Sequence, residues 1–194
     1  MNFLRNIYNW TLKKAEHKNA KWYLSLISFA ESSFFPIPPD ILLIPMALAS
    51  KARALFYAFI CTIFSVLGGI LGYAIGYFFY NSVGIYIVEF YHLENSFSVF
   101  ENYYKEFGIL IVLGAGITPF PYKFITIASG VFGLNIFLFI IISIIGRGLR
   151  FYLIAILLYF FGEKIKLIID KYFNILTIVF FILLVGSVFI IRFI

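Results

Sequence analysis

Read as hydrophobic and polar positions, the chain alternates long apolar runs with short polar ones. Residues 54–80 and 136–161 stay apolar for longer than the roughly 20 residues that a bilayer-crossing helix needs, so each predicts a transmembrane helix. Residues 172–191 carry no charge and predict another. Two further apolar stretches, 22–50 and 108–134, are broken in the middle by prolines. The first break reads Pro36-Ile37-Pro38-Pro39-Asp40 and the second Pro119-Phe120-Pro121-Tyr122-Lys123. Proline removes a backbone donor and pushes the preceding residue out of the helical region, so neither stretch suits one straight helix. Broken backbone at membrane depth is tolerated only where protein or a water-filled cavity surrounds it. Each stretch therefore predicts a re-entrant hairpin that turns at its prolines. Matched breaks in two halves of a chain point to a transporter-type site near the midplane.

The polar segments complete the expected layout. Residues 1–21 place Phe3, Leu4, Ile7, Tyr8, Trp10 and Leu12 among Arg5, Lys13, Lys14, Lys18 and Lys21. That mixture predicts an amphipathic helix on the membrane surface. It is too polar for a signal peptide and lacks a small-residue cleavage site. Residues 81–107 hold Glu89, Glu94, Glu101, Glu106, Lys105 and His92, and predict an outer loop. His92 has no partners at metal-ligand spacing, and no metal site or cofactor is expected. Residues 162–171 predict a short cytoplasmic turn. The expected fold is an all-α integral membrane protein, a helical bundle with two opposed re-entrant hairpins in an inverted repeat.

Composition sharpens this reading. Of 194 residues, 63% are hydrophobic and 12% charged, against about 25% charged in soluble domains. The mean hydropathy is +1.01. A soluble fold could not cover so much apolar surface, and the length suits one bundle without an appended soluble domain. The net charge of +6 does not imply nucleic acid, because the cations sit at the ends of apolar runs. Ten fall on the proposed inner side (the five near the N-terminus, then Lys51, Arg53, Lys164, Lys166 and Lys171), and only Lys105 and Arg192 fall outside. This bias predicts a cytoplasmic N-terminus. Cys61 is the only cysteine, which excludes an intrachain disulfide.

Five ionisable residues interrupt the apolar stretches: Glu31, Asp40, Lys123, Arg147 and Arg150. Each costs roughly 2.5–3.5 kcal/mol at the bilayer centre. Together they would exceed about 10 kcal/mol, comparable to the stability of a whole domain. They must pair, face water or bind a charged ligand. Arg147 and Arg150 are three apart and share a helix face, with Gly146 and Gly148 leaving room beside them. Two guanidinium forks suit a phosphate or two carboxylates, so the arginines either bind an anionic headgroup or pair with Glu31 and Asp40. A carboxyl shielded from water holds its proton more tightly, which makes Glu31 and Asp40 candidate proton carriers. The plainer alternatives are that Glu31 bonds hairpin backbone and that Asp40 caps the helix opening at Ile41. Lys123 either draws a headgroup inward or snorkels to an interface. Gly68, Gly72 and Gly76 form a small-residue stripe that predicts close helix packing. There is no nucleophile–base pair within the spans, and the chain is not expected to be an enzyme.

Several motifs occur in a recognisable order: Glu31-Ser-Ser-Phe-Phe-Pro-Ile-Pro-Pro-Asp40, the glycine-rich helix, Thr118-Pro-Phe-Pro-Tyr-Lys123, and Gly146-Arg-Gly-Leu-Arg-Phe151. Over about residues 20–165 the chain resembles the DedA family of membrane proteins, which carry the VTT or SNARE-associated domain, and within it the YqaA-like branch. The resemblance implies two opposed re-entrant hairpins, a role in moving lipids between leaflets, and Glu31 and Asp40 at the family's acidic positions. The second break departs from the commoner pattern Gly-Arg-Phe-x-Pro-x-x-Arg. Here Gly116-Ile117-Thr118 precedes Pro119 and Lys123 is the only cation, so Arg147 and Arg150 are expected to take the anion-binding duty.

The expected function is a lipid flippase or scramblase acting on polyprenyl phosphate or phospholipid, with protons as a coupling ion. The alternatives are a proton-coupled antiporter of small ions or drugs, and a non-transporting membrane organiser. The many apolar surface positions suit lipid contact and a homodimer equally.

Overall fold

The computed structural model describes the backbone of residues 19–191 apart from Pro36, Leu93 and Pro119. Its side chains are described as far as Ile165, apart from Glu94, Ser96 and Glu163. The amphipathic segment predicted at 1–21, except its last three residues, lies outside this range, as do two of the five break prolines and Arg192.

Among the described residues there are helices and no strand. Helix α1 spans Ala20–Ser33 and α2 Asp40–Ala49, with the first proline break between them. A 3-10 turn, Lys51–Arg53, leads into α3, Ala54–Phe79. A π segment, Tyr80–Gly84, continues α3 into α4, Ile85–Phe90. Helix α5 runs Glu94–Ile117 and α6 Tyr122–Val131, with the second break between them. Helix α7 runs Ile136–Ile191. Two stretches, Lys51–Phe90 and Ile136–Gly162, are long and apolar enough to cross a membrane.

Two expectations change. The predicted outer loop, 81–107, is largely helical. Polarity there does not mean irregularity: the stretch has no proline, and Glu101 and Lys105 pair along the helix at 2.7 Å. Tyr80 stacks on Phe97 at 4.8 Å, which holds α5 against the π segment that follows α3. The predicted turn at 162–171 is helical too, so the separate helix expected at 172–191 is the end of α7. That decade, Gly-Glu-Lys-Ile-Lys-Leu-Ile-Ile-Asp-Lys, opens on its only glycine and otherwise holds residues a helix accepts.

Local chemistry ends the helices where it should. Asn135 accepts hydrogen bonds from the backbone of Phe137 (3.0 Å) and Leu138 (3.2 Å) and so caps α7. At the end of α6, Gly133 adopts φ +63 and Leu134 N–H reaches back to the Ser129 carbonyl at 2.9 Å. That is a Schellman closure, and the left-handed residue in it is a glycine for steric reasons.

The glycine stripe of α3 is the axis of the packing. A Cβ on Gly68 would lie 2.0 Å from the Phe29 carbonyl of α1, and one on Gly76 would lie 2.0 Å from the Ile127 carbonyl of α6. At Gly72 both neighbours meet: Thr126 Oγ1 at 2.3 Å and the Ser32 carbonyl at 3.1 Å. Thus α1 climbs along α3 to the level of Gly72, where it ends, and α6 starts near that level and carries on. Thr126 donates to the Ser32 carbonyl at 3.0 Å, satisfying an acceptor that the end of α1 leaves open. Helix α7 runs past both. Its buried positions Phe139, Ser143, Arg147, Phe151 and Ala155 recur every four residues. Phe139 belongs to one apolar cluster, with Val112, Ala115 and Tyr122. Phe151 belongs to the other, with Leu24, Leu43, Met46, Ala58 and Cys61.

Candidate functional site

Between the two apolar clusters lies a polar layer. Four of the five ionisable residues picked from the sequence meet there as two ion pairs, each drawing its arginine from α7. The direct-pairing alternative is therefore the arrangement observed.

The inner pair is sealed. Arg147 bonds Glu31 at 2.6 Å, with side chains 2% and 10% exposed. Its Nε donates to Ser65 Oγ at 2.6 Å. Ser65 and Ser32 share a 2.6 Å hydrogen bond, and Ser32 donates to Glu31 Oε2 at 3.1 Å. The ring has one consistent direction. Ser65 accepts from Arg147, so its own proton goes to Ser32, whose proton goes to the carboxylate. The guanidinium also lies over the rings of Tyr122 (4.9 Å) and Phe151 (4.7 Å), cation–π contacts that replace lost hydration. Tyr122 is fixed in turn by a 2.6 Å hydrogen bond with Ser143. A buried pair needs this completeness, because desolvation otherwise outweighs the Coulombic gain.

The outer pair is less enclosed. One terminal nitrogen of Arg150 donates to Asp40 at the start of α2, and the other to the Thr118 carbonyl at the end of α5. One guanidinium thus joins the two proline breaks. The pair is more exposed, 13% for Arg150 and 17% for Asp40. Arg150 Nε and Asp40 Oδ1 are buried without a hydrogen-bond partner. The pair therefore keeps one unused donor and one unused acceptor. Asp40 is the first residue of α2 and makes no capping hydrogen bond, so the capping alternative is set aside in favour of the ion pair.

The remaining predicted residues fall into place around the layer. Lys123, at the opening of α6, is half-buried, and its ammonium lies 5.4 Å from the Phe124 ring. Among the described residues it makes no ion pair, and the structure does not bring it into the arginine network. Pro38, Pro39 and Pro121 lie in the breaks; Pro36 and Pro119 are outside the described residues. Gly68, Gly72 and Gly76 pack helices. A Cβ on Gly146 would lie 3.3 Å from the Gly116 Cα, so this glycine admits the backbone of α5 and brings α7 close to the second break. His92 is exposed at the turn after α4.

Ser32, Ser65 and Phe151 are site residues that the sequence reading missed. A signal for the serines exists: Ser25, Ser28 and Ser32 on α1, and Thr62, Ser65 and the glycines on α3, trace small polar stripes at helical spacing on otherwise apolar helices. Phe151 has no such signal, since one phenylalanine among 26 is not distinctive.

Among the described residues, fold and centre together define an all-helical protein with two helices long and apolar enough to cross a membrane and a paired ionic layer between its apolar clusters. An uncharacterized protein of Haemophilus influenzae is 38% identical over 164 residues, which cover 84% of this chain and 85% of that protein. An uncharacterized protein of Histophilus somni is 36% identical over 167 residues, with the same coverage of 84% and 85%. The chain belongs to the family that these two bacterial proteins represent. No protein-family model and no solved structure matches it.

Proposed function

We propose that this protein is a lipid flippase or scramblase of the bacterial inner membrane, moving a lipid with a phosphate headgroup between leaflets. The observation that carries the reading is the outer ion pair. Arg150 holds both breaks together and is the less buried arginine, and its Nε and the Asp40 Oδ1 are both buried without a hydrogen-bond partner. A phosphate offers several acceptors to a guanidinium fork and can compete with one carboxylate for it. Protonation of Asp40 would weaken its hold on Arg150 and favour the exchange, giving a route for proton coupling.

The packing order supports opposed re-entrant hairpins. Helix α1 approaches the level of Gly72 from the Gly68 side and α6 leaves it on the Gly76 side, so the breaks face one another from opposite ends of α3. Hairpins so arranged would carry the broken backbone toward the midplane of a bilayer, a position tolerated where protein or a water-filled cavity surrounds it. The exposed apolar side chains along α3 and α7, such as Phe59, Leu67, Leu149 and Leu153, suit lipid contact. The resemblance to the DedA family points the same way.

The test is leaflet transfer in liposomes containing a headgroup-labelled phospholipid or a labelled polyprenyl phosphate, with and without a pH gradient. Arg150→Gln is expected to fold and to lose transfer of the preferred lipid. Full transfer by that variant would sink the headgroup role. If folded wild-type protein moves neither lipid yet dissipates a proton gradient, the small-ion antiporter becomes the better reading.

A further inference from the structure

The outward side of α1 and α3 carries a groove apart from the ionic layer. It measures ≈ 380 Å³ and is lined by Trp22, Ser25, Leu26 and Phe29 of α1 and by Phe64 and Leu67 of α3. The α1 residues fall at i, i+3, i+4 and i+7, a single helix face. Backbone approach at Gly68 brings the two helices together below, so the side chains splay into walls. The one hydroxyl in the lining, Ser25 Oγ, donates to the Lys21 carbonyl at 2.9 Å and is spent on backbone. What remains is an apolar trough open to the side.

Its end is not apolar. Lys21 stands one residue before Trp22, its ammonium 5.7 Å from the indole centroid. Among the described residues no carboxylate pairs with it. Trp22 and Tyr23, both more than half exposed, are the residue types that mark the headgroup level of a bilayer. A cation that no described carboxylate pairs, beside Trp22 at the end of an apolar trough, matches an anion attached to a hydrocarbon chain.

We propose that this groove seats one acyl chain of an anionic phospholipid whose phosphate is held by Lys21. The lipid is bound at the protein's flank, and the site is separate from the Arg150–Asp40 centre. The inference rests on the reading that the chain is embedded in a bilayer.

The experiment uses full-length protein in nanodiscs of phosphatidylcholine and phosphatidylglycerol. Either lipid carries a photoactivatable diazirine in mid-chain, and crosslinked peptides are mapped. Labelling is expected to concentrate at Leu26, Phe29, Phe64 and Leu67, and to be several-fold stronger with phosphatidylglycerol. Filling the trough with Leu67→Trp, or with Leu26→Trp at a more exposed wall position, should cut that labelling several-fold. Lys21→Glu should remove the preference for the anionic lipid. Even labelling around the exposed faces of α3 and α7, untouched by these variants, would overturn the groove site but leave bilayer embedding standing. No labelling on any helix would overturn both.

Discussion

Arg147 and Arg150 are one helical turn apart and have different jobs. Arg147 sits in a closed ring with Glu31, Ser32 and Ser65, and removing it leaves a buried carboxylate without its partner. We expect Arg147→Gln to cost about 3–5 kcal/mol, read as thermal or denaturant unfolding in detergent. Adding Glu31→Gln should restore much of that loss, because no lone charge then remains. Arg150→Gln acts on a somewhat less buried pair and should cost less, about 1–3 kcal/mol. A reversed order of the two costs would show the inner ring to be the less important one. The sequence discloses which charges have to be neutralised, because five ions among apolar residues cannot all face lipid. It does not disclose the matching of partners. Glu31 and Arg147 are 116 positions apart, and only the stacking of α1, α3 and α7 selects that pair over the crossed one.

Among the elements, the helices are readable where one signal dominates. Uninterrupted apolar runs mark α3 and the first part of α7, and prolines mark both breaks. Polarity misleads at 81–107 and 162–171, where it suggests loop and the chain is helical. Glu, Lys and Tyr are compatible with helix, and their side chains say more about solvent than about backbone. The glycine stripe offers a test of packing. Gly68→Ala forces a methyl against the Phe29 carbonyl and should cost about 1–3 kcal/mol. Gly114, in α5, has nothing within 4 Å of its Cβ position, so Gly114→Ala should instead stabilise by about 0.5–1 kcal/mol. Similar effects at both sites, by thermal melting, would mean that helix propensity and not close approach governs the stripe. Asn135→Ala should cost about 1 kcal/mol, since it removes the cap of α7.

For the whole molecule, the prediction concerns orientation. Cys61 is buried, so a Cys61→Ala background can carry single reporter cysteines. Arg53 precedes α3 and Lys105 lies in α5, and both are exposed. The charge bias predicts that an impermeant thiol reagent added to intact cells labels Lys105→Cys, and that Arg53→Cys reacts only after lysis. The opposite pattern would invert the proposed topology. Charge counts along the sequence bear on this directly, whereas the meeting of α1 and α6 at Gly72 could not be read there. It depends on two short helices sharing one stripe of a third.

The long separation within each ion pair has a consequence for how the protein is made. Ribosomes extend a chain at about 5–20 residues per second, so Glu31 waits on the order of 5–25 s for Arg147. During that interval the emerging chain holds Glu31 and Asp40 and has neither partner guanidinium to receive them. In the bilayer setting proposed above, it must keep them protonated, leave them at the headgroup level, or delay settling until α7 arrives. A nascent chain arrested before residue 147 should therefore be extracted readily by alkaline carbonate. The same arrested chain carrying Glu31→Gln and Asp40→Asn should resist extraction. Membrane insertion of this protein would then be completed by its last helix, with the arginines acting as assembly factors before they serve any finished molecule.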